Sequence, residues 1–127
     1  HKPQIFENFE RSISKSKEQL WKILNKVMKQ GKSIAGFGAS TTTTTLMYHF
    51  DLVSSIPYLL DENPIKIHRF SPGMHIPVLP PDALYKRRPD YTIILAWRFS
   101  DHIIEKNKKY LRNGGHFIIP LPFLRVI

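Results

Sequence analysis

Apolar side chains recur at intervals of three and four through the first thirty residues, and lysines fill many of the positions between them. This spacing predicts one long amphipathic helix over residues 5–30. Gly31 follows at the position of a C-terminal cap. Ser12, Ser14 and Ser16 weaken the first half of the pattern, so a break in the helix there is compatible with the sequence.

After Gly31 the pattern changes to short apolar runs separated by stretches of helical length. The unbroken run YTIILAW is typical of a strand that is buried on both faces. Strands that alternate with helices predict a parallel sheet, and hence a Rossmann-like α/β fold of about five strands flanked by helices and preceded by the long N-terminal helix. The predicted strands are residues 33–37, 56–60, 76–79, 91–97 and 116–121, and the later predicted helices are residues 80–87 and 101–113.

Five consecutive threonines, residues 41–45, favour a strand by intrinsic propensity because branching at Cβ restricts their rotamers in a helix. We nevertheless predict a helix over residues 41–50. A glycine turn that leaves a parallel strand must lead into a crossover connection, so tertiary context overrides local preference here.

Composition bounds the size of the core and the kinds of site that the chain can contain. The 127 residues, 42% of them hydrophobic, suffice for one compact core. Cysteine is absent, which excludes a cysteine zinc site or a disulfide from this chain and makes a cytoplasmic setting the expectation. No apolar stretch approaches the roughly 18 to 20 residues of a membrane span. His1 is consistent with the remnant of an affinity tag.

The formal net charge of +9 favours partners that carry phosphate. Much of the excess lies in residues 1–32, where eight lysines and arginines face three glutamates. We interpret this segment as a solvated helix face rather than a nucleic-acid-binding surface, so nucleic acid is not an expected partner.

Ligands of open parallel sheets bind beyond the carboxyl ends of the strands. After the first predicted strand, Gly36 could form a tight turn and Gly38 could let a ligand approach the backbone, while Ser40 and Thr41 would offer hydroxyl and N–H groups at a helix N-terminus. The dinucleotide pattern requires a third glycine where Thr41 stands, so an ordinary strand-to-helix turn explains the loop equally well. The candidate binding residues of this loop are Gly36, Phe37, Gly38, Ala39, Ser40 and Thr41.

Further candidates follow the other strands. Asp61 and Asn63 could bind a ribose or sugar, although Asp-Glu-Asn-Pro also forms a plain turn. Trp97 and Arg98 could stack a base and meet a phosphate, although Trp97 alone could complete the core. His75 is flanked by turn residues, where a lone histidine is more often structural than catalytic.

No catalytic or metal-binding constellation is evident in the sequence. None of the six histidines has the spacing of a zinc motif, and no nucleophile elbow or lysine-containing phosphate loop is present. We therefore assign no catalytic residue and no metal ligand to this chain.

Several separated motifs, taken together, resemble the C-terminal domain of S-adenosylmethionine-dependent C-methyltransferases that act on nucleoside-diphosphate (NDP) deoxysugars. The resemblance covers about residues 30–127, and the basic helix before it fits the connector of that family. The motifs are AGFGAS, LDENPIKIHRFSPGMHIPVLPP, RPDYTIILAW and GGHFIIPLP.

The resemblance implies a connector over residues 1–31 and a sugar-nucleotide-binding domain over residues 32–127. It also implies that S-adenosylmethionine and zinc belong to a central methyl-donor domain and a zinc module that this chain does not contain. The domain would then bind an NDP-sugar, such as a deoxythymidine-diphosphate (dTDP) deoxysugar, against the central domain in cis, without being catalytic alone.

One departure from the family concerns the glycine loop. The family commonly has Lys-Gly-Asn where this chain has Thr42, Thr43 and Thr44, so a positive charge that could face a phosphate is absent. Arg98 stands where the family often has asparagine, and we hypothesise that it compensates.

Two alternatives remain open at this stage. The domain could be a stand-alone Rossmann-like module for NAD or coenzyme A, which the missing third glycine disfavours. It could also bind nucleic acid through residues 11–32, although that helix lacks interleaved aromatic residues. The principal interpretation requires Gly38, Asp61 and Trp97 to lie on one edge of the sheet.

Overall fold

The computed structural model describes residues 4–71 and 75–127 and contains a six-stranded sheet in the order β3-β2-β1-β4-β5-β6. All neighbouring strands are parallel except β5 and β6. This order is the doubly wound order of Rossmann-like folds and confirms the predicted class. The strands are β1 (Ile34–Phe37), β2 (Leu59–Leu60), β3 (Val78–Leu79), β4 (Tyr91–Ile94), β5 (His116–Ile119) and β6 (Arg125–Val126).

The long N-terminal helix precedes the sheet, as predicted, and the other helices connect β1 to β2, β3 to β4 and β4 to β5. None of those in the described part of the chain combines the length and the apolar character that a bilayer span requires. His1 lies outside the described residues. The helices are α1 (Gln4–Lys29), α2 (Thr41–His49), α3 (Ala83–Lys86), α4 (Ser100–Lys106) and α5 (Lys108–Arg112), and a short 3-10 turn spans Trp97–Phe99.

The sheet is covered on both faces, which explains its continuous apolar strands. Alternate side chains of β1 enter different clusters: Ile34 packs with residues of α1 and α2, whereas Ala35 and Phe37 pack with residues of α3, α4 and α5. The same alternation holds in β4, where Ile93 and Ile94 face opposite clusters.

Helix α1 runs unbroken through its serines, and its C-terminal half belongs to the core. Leu20 and Leu24 are fully buried in the cluster under β1. The Trp21 indole Nε1 donates to the carbonyl of Phe50 at 2.6 Å, and Lys17 pairs with Asp51 at 2.7 Å. Residues of the predicted connector therefore share a core with the sheet.

The threonine run forms α2, as predicted. Ser40 is the N-cap, with extended φ and ψ of −81° and 173°, and its Oγ accepts from the Thr43 amide at 3.2 Å. The Thr44 hydroxyl donates to the Ser40 carbonyl at 3.3 Å. These local bonds satisfy polar groups of the first turn and offset the low helix propensity of threonine.

Four predicted strands were too long; residues 76–79 retain only Val78–Leu79, and residues 116–121 end at Ile119. The predicted strand over residues 91–97 ends at Ile94, because the amides of Leu95 and Ala96 both donate to the Phe37 carbonyl and the chain then turns into the 3-10 turn. The predicted strand over residues 56–60 retains only two paired residues, Leu59 and Leu60.

The predicted helix over residues 101–113 is divided into α4 and α5 at Asn107. The buried Asn107 amide donates to the Ile103 carbonyl at 2.8 Å, and its Oδ1 accepts from the Tyr85 hydroxyl at 3.1 Å. These side-chain bonds replace regular helical bonding at that position. Strand β6 was not predicted, because two residues are too short to show a periodicity.

Tyr110 anchors α5 at the amino ends of β4 and β5. Its hydroxyl donates to the Pro89 carbonyl at 2.7 Å and lies 3.0 Å from the Thr92 hydroxyl. Its ring fills the space in which a side chain at Gly115 would lie. Burial raises the pKa of Tyr110 to about 12, above the ordinary value of 10.0.

We expect Leu24→Ala to lower the free energy of unfolding by about 2–5 kcal/mol, because it opens a cavity in the core shared by α1 and the sheet. Urea denaturation measures the change. The exposed neighbour Asn25 provides the control, since Asn25→Ala should alter stability by less than about 0.5 kcal/mol. Equal stability of the two variants would show that α1 does not belong to the core.

We expect stability to fall as pH rises from about 10 to about 12, because unfolded Tyr110 ionises before the folded residue does. The raised pKa corresponds to about 2–3 kcal/mol at most. Tyr110→Phe should be less stable at pH 8 and should lose less further stability above pH 10. Urea denaturation along a pH series tests this, and an unchanged alkaline slope in the variant would contradict it.

Candidate functional site

The loop between β1 and α2 requires glycine at position 38. Gly38 has a φ of +116°, in the region that favours glycine. A Cβ there would lie 3.1 Å from the Ala96 nitrogen and 3.0 Å from the Thr43 hydroxyl. The Gly38 amide donates to the Leu60 carbonyl at 2.6 Å. Gly38 therefore lets β1 and the segment that leaves β4 approach each other closely.

Gly36 has a different reason for being glycine. It lies within β1, where a Cβ would come 2.7 Å from Leu59 Cδ2 and 3.0 Å from Leu95 Cδ1. The prediction that Gly36 forms the tight turn was therefore wrong, because it makes room for the core. Phe37 is buried in the opposite cluster, so it presents backbone rather than its ring to the loop.

Asp61 fastens this loop to the end of β2. Its Oδ2 accepts from the amide of the buried Ala39 at 2.9 Å, and its Oδ1 accepts from the Asn63 amide at 2.8 Å. The Asn63 side chain in turn accepts from the Ile65 amide at 3.0 Å. Both predicted ligand-binding residues thus hold backbone at the carboxyl edge of the sheet.

Trp97 and Arg98 line a groove beyond the ends of β4 and β5. Trp97 is half-buried against both core clusters, and the Arg98 guanidinium carbon lies 5.1 Å from the centre of its ring. Arg125 donates to the Ser100 hydroxyl at 3.4 Å. We call this groove of about 490 Å³ the aromatic groove; its lining residues are Trp97, Arg98, Ser100, Asp101, Pro122, Phe123 and Arg125.

A second, smaller cavity lies on the other side of the loop, between Ala39 and the segment that follows β2. It has a volume of about 220 Å³ and contains two cations, Lys66 and Arg69. We call it the basic cleft; its lining residues are Ala39, Ile65, Lys66, Arg69, Phe70, Ser71 and Val78.

The carboxyl edge of the sheet brings most of the predicted residues together. Ala39 is bonded to Asp61, and the neighbouring Gly38 packs on Ala96, which precedes Trp97. One edge of the sheet therefore contains Gly38, Asp61 and Trp97 together, as predicted. His75 is exposed with a φ of 54°, and its ring centre lies 6.1 Å from that of Phe70, outside both lining sets.

The sequence-based candidates omitted most lining residues of these two cavities, among them the charged or aromatic Lys66, Arg69, Phe123 and Arg125. The cations in IKIHRF and the Phe and Arg after PLP are visible in the sequence. That these side chains line the two cavities depends on the path of the chain. The side chains of Thr41 and Thr42 lie outside the described part of the structure.

A larger cavity of about 570 Å³ lies at the opposite edge, beside Asp90, Tyr110 and Gly115 at the amino ends of β4 and β5. Tyr58, which lies on that side just before β2, has a raised pKa, because burial raises it by more than the Arg87 charge lowers it. We place the candidate site at the carboxyl edge, because ligands of open parallel sheets bind there. Within residues 4–71 and 75–127, no group of three or more histidines and acids could hold a metal ion.

Comparison with known proteins agrees with this architecture. The family model described as "C-methyltransferase C-terminal domain" matches residues 1–122. The C-methyltransferase NovU of Streptomyces niveus is 32% identical over 123 residues, which are 96% of this chain and 29% of that protein. The chain therefore spans less than a third of the length of this relative.

We expect Asp61→Ala to lower the free energy of unfolding by about 1–3 kcal/mol, because the buried Ala39 amide loses its acceptor. Asp61→Asn should lose less, since an oxygen acceptor remains. Glu62→Ala is the control, because the ion pairs of Glu62 with Lys106 and His102 are solvent-exposed. Urea denaturation measures the stability of all three variants. Equal losses for Asp61→Ala and Glu62→Ala would contradict the conclusion that Asp61 holds the loop.

Proposed function

The chain belongs to the family of C-methyltransferase C-terminal domains, and we propose that it binds the NDP-deoxysugar substrate of a methyltransferase that uses S-adenosylmethionine. Its role is to position the sugar nucleotide for methylation of a ring carbon. The site is the carboxyl edge of the sheet, around the loop at Gly38.

One observation carries this proposal: at the carboxyl edge the basic cleft touches Ala39 of the glycine loop, and the aromatic groove begins at Trp97, next to the Ala96 on which Gly38 packs. A sugar nucleotide has a flat base at one end and a diphosphate beside it. The rings of Trp97 and Phe123 offer surfaces on which a base can stack, and the cations of both cavities suit the negative charge of the diphosphate.

The same edge has the character of a surface that meets another domain. Ile65, Phe70, Phe99 and Phe123 expose most of their side chains there. Exposed apolar groups beside polar ones are typical of interaction sites. We propose that a methyl-donor domain covers this edge in cis and encloses the sugar between the two domains.

Carbon methylation requires a base that removes a proton beside a keto group and a methyl donor held in line. In this proposal the base, S-adenosylmethionine and zinc all belong to the domains that precede this one in the family. The residues described here bind and orient the substrate.

The two alternatives receive less support from the structure. In a dinucleotide site the acid after the second strand holds a ribose, whereas Asp61 is bonded to the loop. In the basic helix α1, Lys17 is paired with Asp51, and the nearby Trp21 is directed to the Phe50 carbonyl rather than to an exposed face.

We expect the domain to bind dTDP, and Arg98→Ala to weaken that binding about tenfold, because the variant loses a cation that orders the Trp97 face. Isothermal titration calorimetry measures the affinities. Arg112→Ala is the matched control, since Arg112 is exposed on α5, away from both cavities. Absence of dTDP binding, or equal affinities of the two variants, would contradict the proposed site.

A further inference from the structure

Three N–H groups of the glycine loop and of the first turn of α2 are already bonded within the protein. The Gly38 amide donates to Leu60, the Ala39 amide donates to Asp61, and the Thr43 amide donates to Ser40 Oγ. In dinucleotide-binding loops, amides at these positions face the phosphates of the ligand. Here they hold the loop together instead.

Asp61 places an anion where such a loop would accept one. Its Oδ2 lies 2.9 Å from the Ala39 nitrogen, so a phosphate oxygen on that amide would have to displace or adjoin a carboxylate. Like charges at that separation repel each other. The loop backbone is consequently a poor place for the diphosphate, even though the loop sequence suggested it.

The basic cleft is lined by two cations, Lys66 and Arg69, that are available to a ligand. Among the described residues, neither Lys66 nor Arg69 has an acidic side chain within salt-bridge distance, whereas Lys106 and Lys108 do. Both cations line one cavity of about 220 Å³ that also touches Ala39 of the loop. A diphosphate there would gain two charge-assisted contacts without disturbing the loop.

The segment that carries these cations has a fixed backbone. The Lys66 amide donates to the Asn63 carbonyl at 3.0 Å, and the Arg69 amide donates to the Lys66 carbonyl at 3.2 Å. His68 and Val78 add a reciprocal connection to β3, since the His68 amide donates to the Val78 carbonyl and the Val78 amide donates to the Arg69 carbonyl. The cleft is therefore built before a ligand arrives, which reduces the ordering cost of binding.

The size of the cleft points to a part of the ligand. Sites that enclose a whole cofactor or drug-sized molecule measure about 300–1,000 Å³, and the basic cleft is smaller. It suits the compact, charged part of a sugar nucleotide, while the larger aromatic groove suits the base.

We propose that Lys66 and Arg69 bind the diphosphate of the sugar nucleotide in the basic cleft, outside the glycine loop that Asp61 occupies. This inference rests on the proposed function, because it divides that same ligand between two cavities. Asp61 acts here as a positioning residue that holds the loop and keeps phosphate away from it.

The test compares dTDP with deoxythymidine, which has the base but no phosphate. Calorimetric affinities for both are measured on the wild-type domain and on Lys66→Gln, Arg69→Gln and the double variant, in which glutamine keeps much of the apolar stem. Arg112→Gln is the control, and circular dichroism confirms that each variant is folded.

We expect each cation variant to weaken dTDP binding about tenfold and the double variant more, while deoxythymidine binding stays within about twofold of wild type. Arg98→Ala in the aromatic groove should instead weaken the binding of both ligands, because the Trp97 face loses the cation beside it. A double variant that keeps the wild-type preference for dTDP over deoxythymidine would overturn the cleft assignment alone. A wild-type domain that binds neither ligand would overturn the proposed function as well.

Discussion

The hydrogen bond between the Ala39 amide and the Asp61 carboxylate links the two parts of the molecule on which the candidate site depends. It holds the loop after β1 against the end of β2, while Gly38 brings the same loop against Ala96 beyond β4. The central strand, both neighbouring strand ends and the start of α2 are therefore fixed by one compact set of contacts. A ligand at this edge meets a loop whose Gly38 and Ala39 amides are already bonded within the protein.

Because of this arrangement, the glycine pair and the acid do not have the roles that they have in a dinucleotide site. A glycine pair followed by an acid some twenty residues later suggests a dinucleotide site, because glycine frees the backbone and the acid binds a ribose. Here Gly36 leaves room for core side chains, and Gly38 lets the loop pack closely on Ala96. Asp61 accepts a hydrogen bond from the loop. In the proposed site, the positive charge for a phosphate comes from cationic side chains at this edge instead of from the loop backbone.

The exposed apolar side chains of this edge contrast with the two buried clusters beneath it. Trp97 connects the two environments, since its ring packs on both clusters and also lines the aromatic groove. Trp97 thus completes the core, as one interpretation of the sequence held, and its ring also lines the groove in which base stacking is proposed.

The periodicity of apolar residues determined the fold class and the long α1, because burial on both sheet faces requires continuous apolar strands. The helix over the threonines followed instead from the crossover that must leave β1. The periodicity also placed Gly38, Asp61 and Trp97 on one edge, because parallel strands end together. Tertiary structure alone decided where strand pairing stops after Ile94, that Asp61 bonds the loop and that Lys66 and Arg69 face it. Those outcomes depend on contacts between residues that are far apart in the sequence, and local sequence patterns do not specify such contacts.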